Sequence, residues 1–365
     1  MKIVIDGRII RSSTGRYVER LLTYLQKIDK QNEYVVIVKS TDVDYWQPSS
    51  KNFSVVACDA ADFSLAEQTK LLKQLNDLHA DVVHFCMPQQ PVLYRGKKIT
   101  TVHDLFQLKA SNPTKNQIVY RFKQLVGWFV FKHVLRSNNH IITDSNYSKH
   151  DIERFSPSAA GKTTTVYLSA DKLTAKRPVK YAKLPSDNYL LYVGQQSEHK
   201  NIRRLVRAHQ LLLEKHPDLW LVLVGKVNDI AKLNQKWVEE NNYKNVHFTG
   251  FVADEELAWL YENATCYTFA SLMEGFGLPG LEAMQYGTPV ASSNTTCLPE
   301  IYGEAAAYFD PTNVDDMAQT IERVIEDESL RKELVENGYR QLKKYSWEKM
   351  ARETHTIYMS VLSKD

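Results

Sequence analysis

Short β-branched runs alternate with amphipathic stretches along nearly the whole chain. A strand-length run followed by a helical period, repeated many times, is the pattern of parallel sheets whose crossovers are helices. In the first half, strands are expected at Lys2–Asp6, Tyr34–Lys39, Ser54–Cys58, Asp81–Phe85, Lys98–His103 and His140–Thr143. Between them, Tyr17–Ile28 puts Val18, Leu21, Leu22 and Leu25 on one stripe, and Leu65–Leu78 repeats that spacing. The second half restarts with strands at Tyr189–Val193, Trp220–Val224, Val246–Phe248, Cys266–Phe269, Val290–Ser292 and Ala306–Phe309. Helices are expected at Ile202–Leu213, Met317–Ile325, Leu330–Lys344 and Ser346–Leu362. No fixed-period repeat appears, so a solenoid is excluded.

A chain of 365 residues exceeds what one core usually serves. The break falls where Lys172, Lys176, Arg177, Pro178, Lys180, Lys183 and Pro185 crowd a stretch without hydrophobic period. The expected organisation is α/β: a Rossmann-like domain over 1–170, a linker over 171–187, a second Rossmann-like domain over 188–345 and a terminal helical segment over 346–365. Ligands of such sheets sit beyond the carboxyl ends of the strands, so a central cleft between the two sheets is the expected site.

Composition excludes several classes. Lys plus Arg, 46, against Asp plus Glu, 43, gives +3, too balanced for a nucleic-acid binder. No apolar run approaches the roughly 18–20 residues of a membrane span. Cys58, Cys86, Cys266 and Cys297 are scattered without a C-x-x-C and read as buried free thiols. The start, Met1–Asp6, is charged too soon for a signal peptide and reads as a first strand of a cytoplasmic protein.

The chemistry concentrates in A-S-L-M-E-G-F-G-L-P-G-L-E, Ala270–Glu282. Gly275, Gly277 and Gly280 spell G-x-G-x-x-G, the dinucleotide fingerprint. Glu274 and Glu282, however, flank the place where a pyrophosphate would lie and would repel it. The alternative is that the backbone N–H groups of Phe276, Gly277 and Leu278 line a cavity while the carboxylates accept hydrogen bonds from vicinal hydroxyls. Pro279 suits the first helical position, with Glu282 in the first turn. Against this, Glu282 could merely complement the helix dipole and Glu274 be solvated.

In this setting, Glu274-x7-Glu282 resembles the signature of the retaining glycosyltransferases of family 4, which have the GT-B fold. Ser12–Tyr17 with Gly15, T-V-H-D at Thr101–Asp104, and Ser145 through Ser148-Lys149 are similar to the family's N-domain motifs. Tyr192–Gly194 through Lys200-Asn201, Thr249–Phe251, and Ser293-Asn294 through Pro299-Glu300 are similar to its C-domain motifs. The resemblance implies a hexosyltransferase using a nucleotide sugar, with domain 1–170 binding the acceptor, domain 188–345 the nucleotide sugar, and the helix over 346–365 crossing back to the first domain. GDP-mannose is slightly favoured as donor, with UDP-glucose next and a glycan or lipid-linked molecule as acceptor. Transfer would retain configuration by attack on the face that the diphosphate leaves. No second carboxylate is placed to be a nucleophile, as double displacement requires.

Charge building on a leaving diphosphate must meet a metal or fixed donors. The D-x-D string Asp42–Asp44 reads as a solvated turn, so no metal and no cofactor is expected. Gly194 closes a strand and Lys200-Asn201 opens the next helix, whose N-terminus attracts anions. Lys200 would meet the diphosphate there, as the resemblance also implies. Many relatives carry Arg just before this Lys, where this chain has His199; Arg203 or Arg204 is placed to compensate. Gly15 opens a backbone approach to phosphate, or is a plain helix start capped by Thr14. Ser145 and Ser148 read as capping residues. By resemblance, His103 contacts the transferred sugar and Gly250-Phe251 lie under the base. Asp104 either orients His103 or caps the next turn. Asn294 and Glu300 are binding candidates that a turn and a cap explain equally.

Between Asp104 and Asp144 there is no acidic residue. Lys109, Lys115, Arg121, Lys123, Lys132 and Arg136 interleave with Phe106, Tyr120, Phe122, Trp128, Phe129 and Phe131. Residues 105–143 could therefore lie on an anionic membrane surface, which a lipid-linked acceptor would explain. The plainer reading makes Leu125, Trp128, Phe129 and Val134 core beneath a solvated basic face. Two rival functions stand beside the transferase: an NAD-dependent oxidoreductase, and a non-catalytic sugar-nucleotide or membrane-binding module.

Overall fold

The computed structural model describes residues 1–12, 14–61, 64–109, 117–171 and 177–363. The chain folds as two compact units. The first holds Met1–Leu108, Arg121–Leu168 and the C-terminal segment from Ser346, and the second is built from Ser169–Tyr345.

The strands of the first unit are β1 (Lys2–Asp6), β2 (Glu33–Val38), β3 (Phe53–Ala57), β4 (Val82–Phe85), β5 (Lys98–Thr101), β6 (His140–Thr143) and β7 (Thr163–Thr165). They form one sheet in the order β3-β2-β1-β4-β5-β6-β7. Every pairing is parallel, Ile3 lying opposite Tyr34 on one side and Val82 on the other. Parallel sheets are covered on both faces, which is why Ile3, Val4 and Ile5 form an unbroken apolar run and are all fully buried. Helices α1 (Gly15–Ile28), α2 (Leu72–Asp77), α3 (Phe106–Lys109), α4 (Gln117–Ser137) and α5 (Asn146–Phe155) supply crossovers. The α1 stripe of Val18, Leu21, Leu22 and Leu25 is buried.

Three details differ from the sequence reading. The expected helix over Leu65–Leu78 contains a wide π turn at Glu67–Leu71 before α2. Strand β7 is three threonines, without an apolar signal, that pair only with β6. On α4, Phe131, Val134 and Leu135 are buried, but Leu125, Trp128 and Phe129 are exposed. Those three are thus not core, because the helix packs its C-terminal half against Val102, Ile141 and Ile152. Of the basic stretch, Lys115 and the side chains of Lys109, Tyr120, Phe122 and Lys123 lie outside the described residues.

The second unit repeats the architecture with β8 (Tyr189–Val193), β9 (Trp220–Val224), β10 (Val246–Gly250), β11 (Cys266–Phe269), β12 (Val290–Ser293) and β13 (Ala306–Phe309). The order is β10-β9-β8-β11-β12-β13, again all parallel. Around the sheet lie α6 (Ile202–Leu212), α7 (Asp229–Glu240), α8 (Asp254–Asn263), α9 (Leu278–Gln285), α10 (Leu298–Tyr302), α11 (Val314–Glu326) and α12 (Glu328–Leu342). Asn228, Asn313 and Asp327 cap α7, α11 and α12 with their side chains.

Of the expected linker, residues 172–176 lie outside the described residues. The rest is tied to the second unit: the Val179 N–H donates to the Glu255 carbonyl, and Tyr181 is buried against His247. The last helix, α13 (Trp347–Leu362), belongs to the first unit and packs on α1. Its fully buried Tyr358 hydroxyl meets His84 Nδ1 at 2.6 Å. No helix among the described residues is long and apolar enough to cross a membrane. All four cysteines are free and buried.

Candidate functional site

In each sheet the strand order reverses once, between β1 and β4 and between β8 and β11. The loops leaving such neighbouring strands splay apart and leave a crevice at their carboxyl ends. In the second unit these are the loops after β8 and β11, which carry Gly194–Lys200 and Ala270–Gly277. They are stitched together: the Leu272 N–H donates to the His199 carbonyl at 2.7 Å, and Lys200 Nζ meets Glu274 Oε1 at 2.5 Å. Both side chains are mostly shielded, Lys200 also lying over the Phe269 ring. The cation and the acid, 74 residues apart in sequence, thus converge at the reversal point.

Lys200 does not open a helix. Glu198–Lys200 is a single 3-10 turn, Asn201 takes a left-handed φ of 61°, and α6 begins at Ile202. Asn201 holds this break by donating its amide to the carbonyls of Ala270 and Pro311. The Lys200 ammonium is therefore placed by Glu274, and the α6 dipole does not hold it. His199 is no substitute for an arginine. Burial, with Lys200 beside it, lowers its pKa to about 4 against the opposing pull of Glu274, so the ring is neutral near pH 7. The two arginines separate: Arg203 lies over Trp237 and donates to Asn234, while Arg204 Nη1 donates to Asn201 Oδ1 at 3.0 Å. Arg204 is the one beside the Lys200 turn.

Gly277 caps α9 in a left-handed conformation, φ 99°, so the helix begins at Leu278. Pro279 is then its second residue and Glu282 falls in the second turn, a correction to its expected place in the first. Glu282 is 6% exposed and accepts the Tyr261 hydroxyl at 3.1 Å. Phe276 is buried edge-on against Tyr345. The glycines have a packing reason: a Cβ on Gly280 would stand 2.4 Å from the Tyr302 ring, and one on Gly277 2.6 Å from its hydroxyl. Tyr302 instead donates to the Gly277 carbonyl at 2.6 Å. The second and third glycines of the G-x-G-x-x-G string are thus accounted for by the packing of Tyr302, without a dinucleotide.

Gly194 follows β8, its N–H donating to the Val224 carbonyl. Gly250 ends β10 with φ 73°, and Phe251 after it is 73% exposed, with Lys226 over its ring. Tyr192 and Ser271 have buried hydroxyl oxygens without a hydrogen-bond partner among the described residues. Asn294 is held through its backbone by the Phe309 carbonyl, and Glu300 lies in the first turn of α10.

In the first unit, His103 follows β5 and its Nδ1 meets Asp144 Oδ2, after β6, at 2.6 Å. Asp144, not Asp104, is thus the bonded acid. Asp104 accepts the Phe106 N–H and so caps the next turn. Burial works to lower the His103 pKa, but the charge and hydrogen bond of Asp144, helped by Asp104 and the Cys86 backbone, win and raise it. His103 Nε2 is buried without a hydrogen-bond partner among the described residues. Behind it, Tyr17 packs edge-on, and its hydroxyl and His84 Nε2 each lie 2.8 Å from the Thr101 hydroxyl. Burial, with His103 nearby, lowers the His84 pKa to about 3.

Gly15 is required by its own loop, since a Cβ there would lie 1.9 Å from the Ile10 carbonyl oxygen. Thr14 makes no side-chain cap. Ser145 does cap α5, accepting the Ser148 N–H. Asp144, Tyr17 and Tyr302 are the residues that sequence reasoning passed over. Asp144 had a signal, its place just after an apolar strand and beside Ser145.

For a metal, the described residues offer His216, Glu322 and Glu326, whose ligand atoms lie within 4.8 Å of one another. They are at the amino edge of the second sheet, opposite Lys200, and Glu322 already pairs with Lys215. Asp42 of the D-x-D string is buried and faces Arg11 at 3.6 Å, while Asp44 is exposed. The turn is thus only half solvated.

Comparison with known proteins agrees with this architecture. The family described as glycosyl transferases group 1 matches residues 175–341. The O-antigen chain mannosyltransferase B of Escherichia coli is 34% identical over 274 residues, 72% of this chain and 70% of that protein. The O-antigen chain mannosyltransferase RfbU of Salmonella typhimurium is 24% identical, covering 88% of this chain and 90% of that protein. Sucrose-phosphate synthase from Thermosynechococcus elongatus, at 21% identity, shares the fold over 100% of both chains with a TM-score of 0.78. The chain belongs to the glycosyl transferases group 1 family, an enzyme of the GT-B fold that transfers a hexose.

Proposed function

We propose that this glycosyltransferase moves a mannosyl group from GDP-mannose to a glycan or lipid-linked acceptor, without a metal ion and with retention of anomeric configuration. The observation that carries the reading is the Lys200–Glu274 pair at 2.5 Å, set at the strand reversal of the second unit. A donor bound there exchanges this internal ion pair for one external ion pair and a set of hydrogen bonds. The ammonium meets the diphosphate, while the freed carboxylate accepts hydrogen bonds from sugar hydroxyls. Arg204, one turn on, is placed to add charge, and the N–H groups of Phe276, Gly277 and Leu278 at the start of α9 supply fixed dipoles. Gly194, in the loop after β8, lets the backbone approach the donor, whereas the space beside Gly15 is taken by the Ile10 carbonyl. Gly250 turns the chain so that Phe251 offers a face to the base. Glu282, braced by Tyr261, supports the loop from below. His103, its Nδ1 committed to Asp144, is the first unit's candidate for contacting the transferred sugar.

In the proposed reaction the bond from the anomeric carbon to the diphosphate oxygen breaks as the acceptor oxygen forms its bond on the same face. The acceptor proton passes to the departing phosphate oxygen. The mannosyltransferase names of the two O-antigen relatives favour mannose over glucose. The reading also places the enzyme in the cytoplasm, at the membrane periphery, with the exposed side chains Leu125, Val126, Trp128 and Phe129 of α4 at the lipid.

The test is release of nucleoside diphosphate from a donor panel, in EDTA and with magnesium, followed by NMR of the product's anomeric proton. GDP release from GDP-mannose alone, unaffected by EDTA and giving an α-linked product, is expected. Turnover confined to UDP-glucose would move the donor assignment, and an EDTA-sensitive rate or an inverted product would overturn the mechanism.

A further inference from the structure

We propose that the amino edge of the first unit's sheet carries a second, non-catalytic site: a pocket for the phosphate headgroup of an anionic lipid. His103 and Asp144 lie at the carboxyl ends of β5 and β6. At the opposite ends of these strands, a cavity of about 440 Å³ is lined by Arg95, Lys97, Lys98, His133 and Ser137, with Leu93 at its rim. None of its lining residues is acidic.

The cations are held in place in different ways. Lys98 is buried, with Nζ on the Tyr94 carbonyl at 2.9 Å. Lys97 Nζ sits against the last carbonyls of α13, Val361 and Leu362, at 3.3 and 3.4 Å. His133 Nε2 bonds the Val92 carbonyl at 3.0 Å, and Arg95 is exposed. The Ser137 hydroxyl is buried without a hydrogen-bond partner among the described residues. Guanidinium, ammonium and hydroxyl donors around one cavity are what a phosphate monoester or diester binds.

The surroundings select a lipid over a free phosphate. His133 and Ser137 continue a helical stripe that begins with Val126 and Phe129 on α4, and both of those are exposed, as is Leu93. A soluble ion needs no apolar rim. A lipid presents its phosphate at the same depth at which such side chains enter the interface. The inference rests on the proposed membrane contact of α4 and adds to it a specific headgroup seat, separate from the donor site.

The experiment is sedimentation of the full chain with vesicles of phosphatidylcholine alone and with a quarter phosphatidylglycerol. It compares wild type, Arg95→Glu, Phe129→Ser and, as a control reversal on the exposed face of α7, Lys232→Glu. Wild type should favour the anionic vesicles, and Arg95→Glu should weaken that partition by roughly tenfold or more, with Lys232→Glu unchanged. Equal loss in Lys232→Glu would make the attraction diffuse and overturn the pocket. Full binding by Arg95→Glu with loss in Phe129→Ser would overturn the pocket and leave the α4 contact standing. No binding by wild type would overturn both, with donor turnover unaffected as a result. A phosphate-induced rise in melting temperature that Arg95→Glu abolishes, without vesicle binding, would assign the cavity to a free anion and overturn the lipid.

Discussion

Asp144→Asn gives the most direct test of the first unit's electrostatics. In the native protein His103 Nδ1 and Asp144 Oδ2 are 2.6 Å apart, and both side chains are largely removed from water. Two unit charges about 4 Å apart interact by roughly 4 kcal/mol where the effective dielectric is near 20. Cutting one partner out of a buried pair costs about 3–5 kcal/mol, because the other is left uncompensated. Asparagine keeps the shape and an acceptor oxygen but removes the charge, so burial then favours neutral His103. The folded-state pKa of His103 is raised above its ordinary value. Its protonation therefore adds stability that is fully present below about pH 6.5 and is lost as pH rises through the elevated folded value. The variant should be less stable by about 3 kcal/mol near pH 6, and the gap should narrow markedly by pH 9. Urea unfolding of both proteins at the two pH values measures this. A gap that is constant with pH, or that widens toward pH 9, would refute the charged-pair reasoning. If His103 also serves the sugar, the variant's activity should lose the pH dependence that the wild type shows on the alkaline side.

Four further outcomes follow from other parts of the molecule. Glu274→Ala should reduce transfer by roughly a hundredfold or more, read as nucleoside diphosphate release, while the melting curve shows the second unit still folded. His199→Gln should change the donor KM at pH 7 by little, since the ring it replaces titrates at about 4 and is already neutral. A large increase in KM would mean that the imidazole carries charge in the complex. Gly280→Ala should destabilise the second unit by about 1–3 kcal/mol because its Cβ would lie 2.4 Å from Tyr302, and combining it with Tyr302→Ala should cost less than the sum, measured by denaturant titration. Leu125→Ser with Phe129→Ser should leave stability within about 0.5 kcal/mol for each change, since both side chains are exposed.

Much of the architecture was readable from local pattern. A strand buried on both faces must be apolar along its length, so Tyr189–Val193 and Trp220–Val224 announce themselves, as does the α1 stripe. Strand β7 does not, because three threonines at a sheet edge need bury only one side. The glycine-rich loop was readable as a site, but Gly277 and Gly280 are explained only by Tyr302, more than twenty residues later, which fills the space beside them. On α4 the same apolar residues fit a core or a surface, and only the packing direction of Phe131 and Leu135 separates the two.

What the chain's order of residues determined by itself is the α/β class, the approximate bounds of most strands and helices, and which residue types reach the strand ends, because each depends on neighbours a few positions apart. What only the tertiary structure decided is who meets whom: Lys200 with Glu274, His103 with Asp144, Arg204 with Asn201 and Arg203 with Trp237. Those pairings are set by the sheet order, the left-handed turn at Asn201 and the direction in which each crossover helix returns. A charge's partner is then fixed by distance through space, to which spacing along the chain is nearly blind.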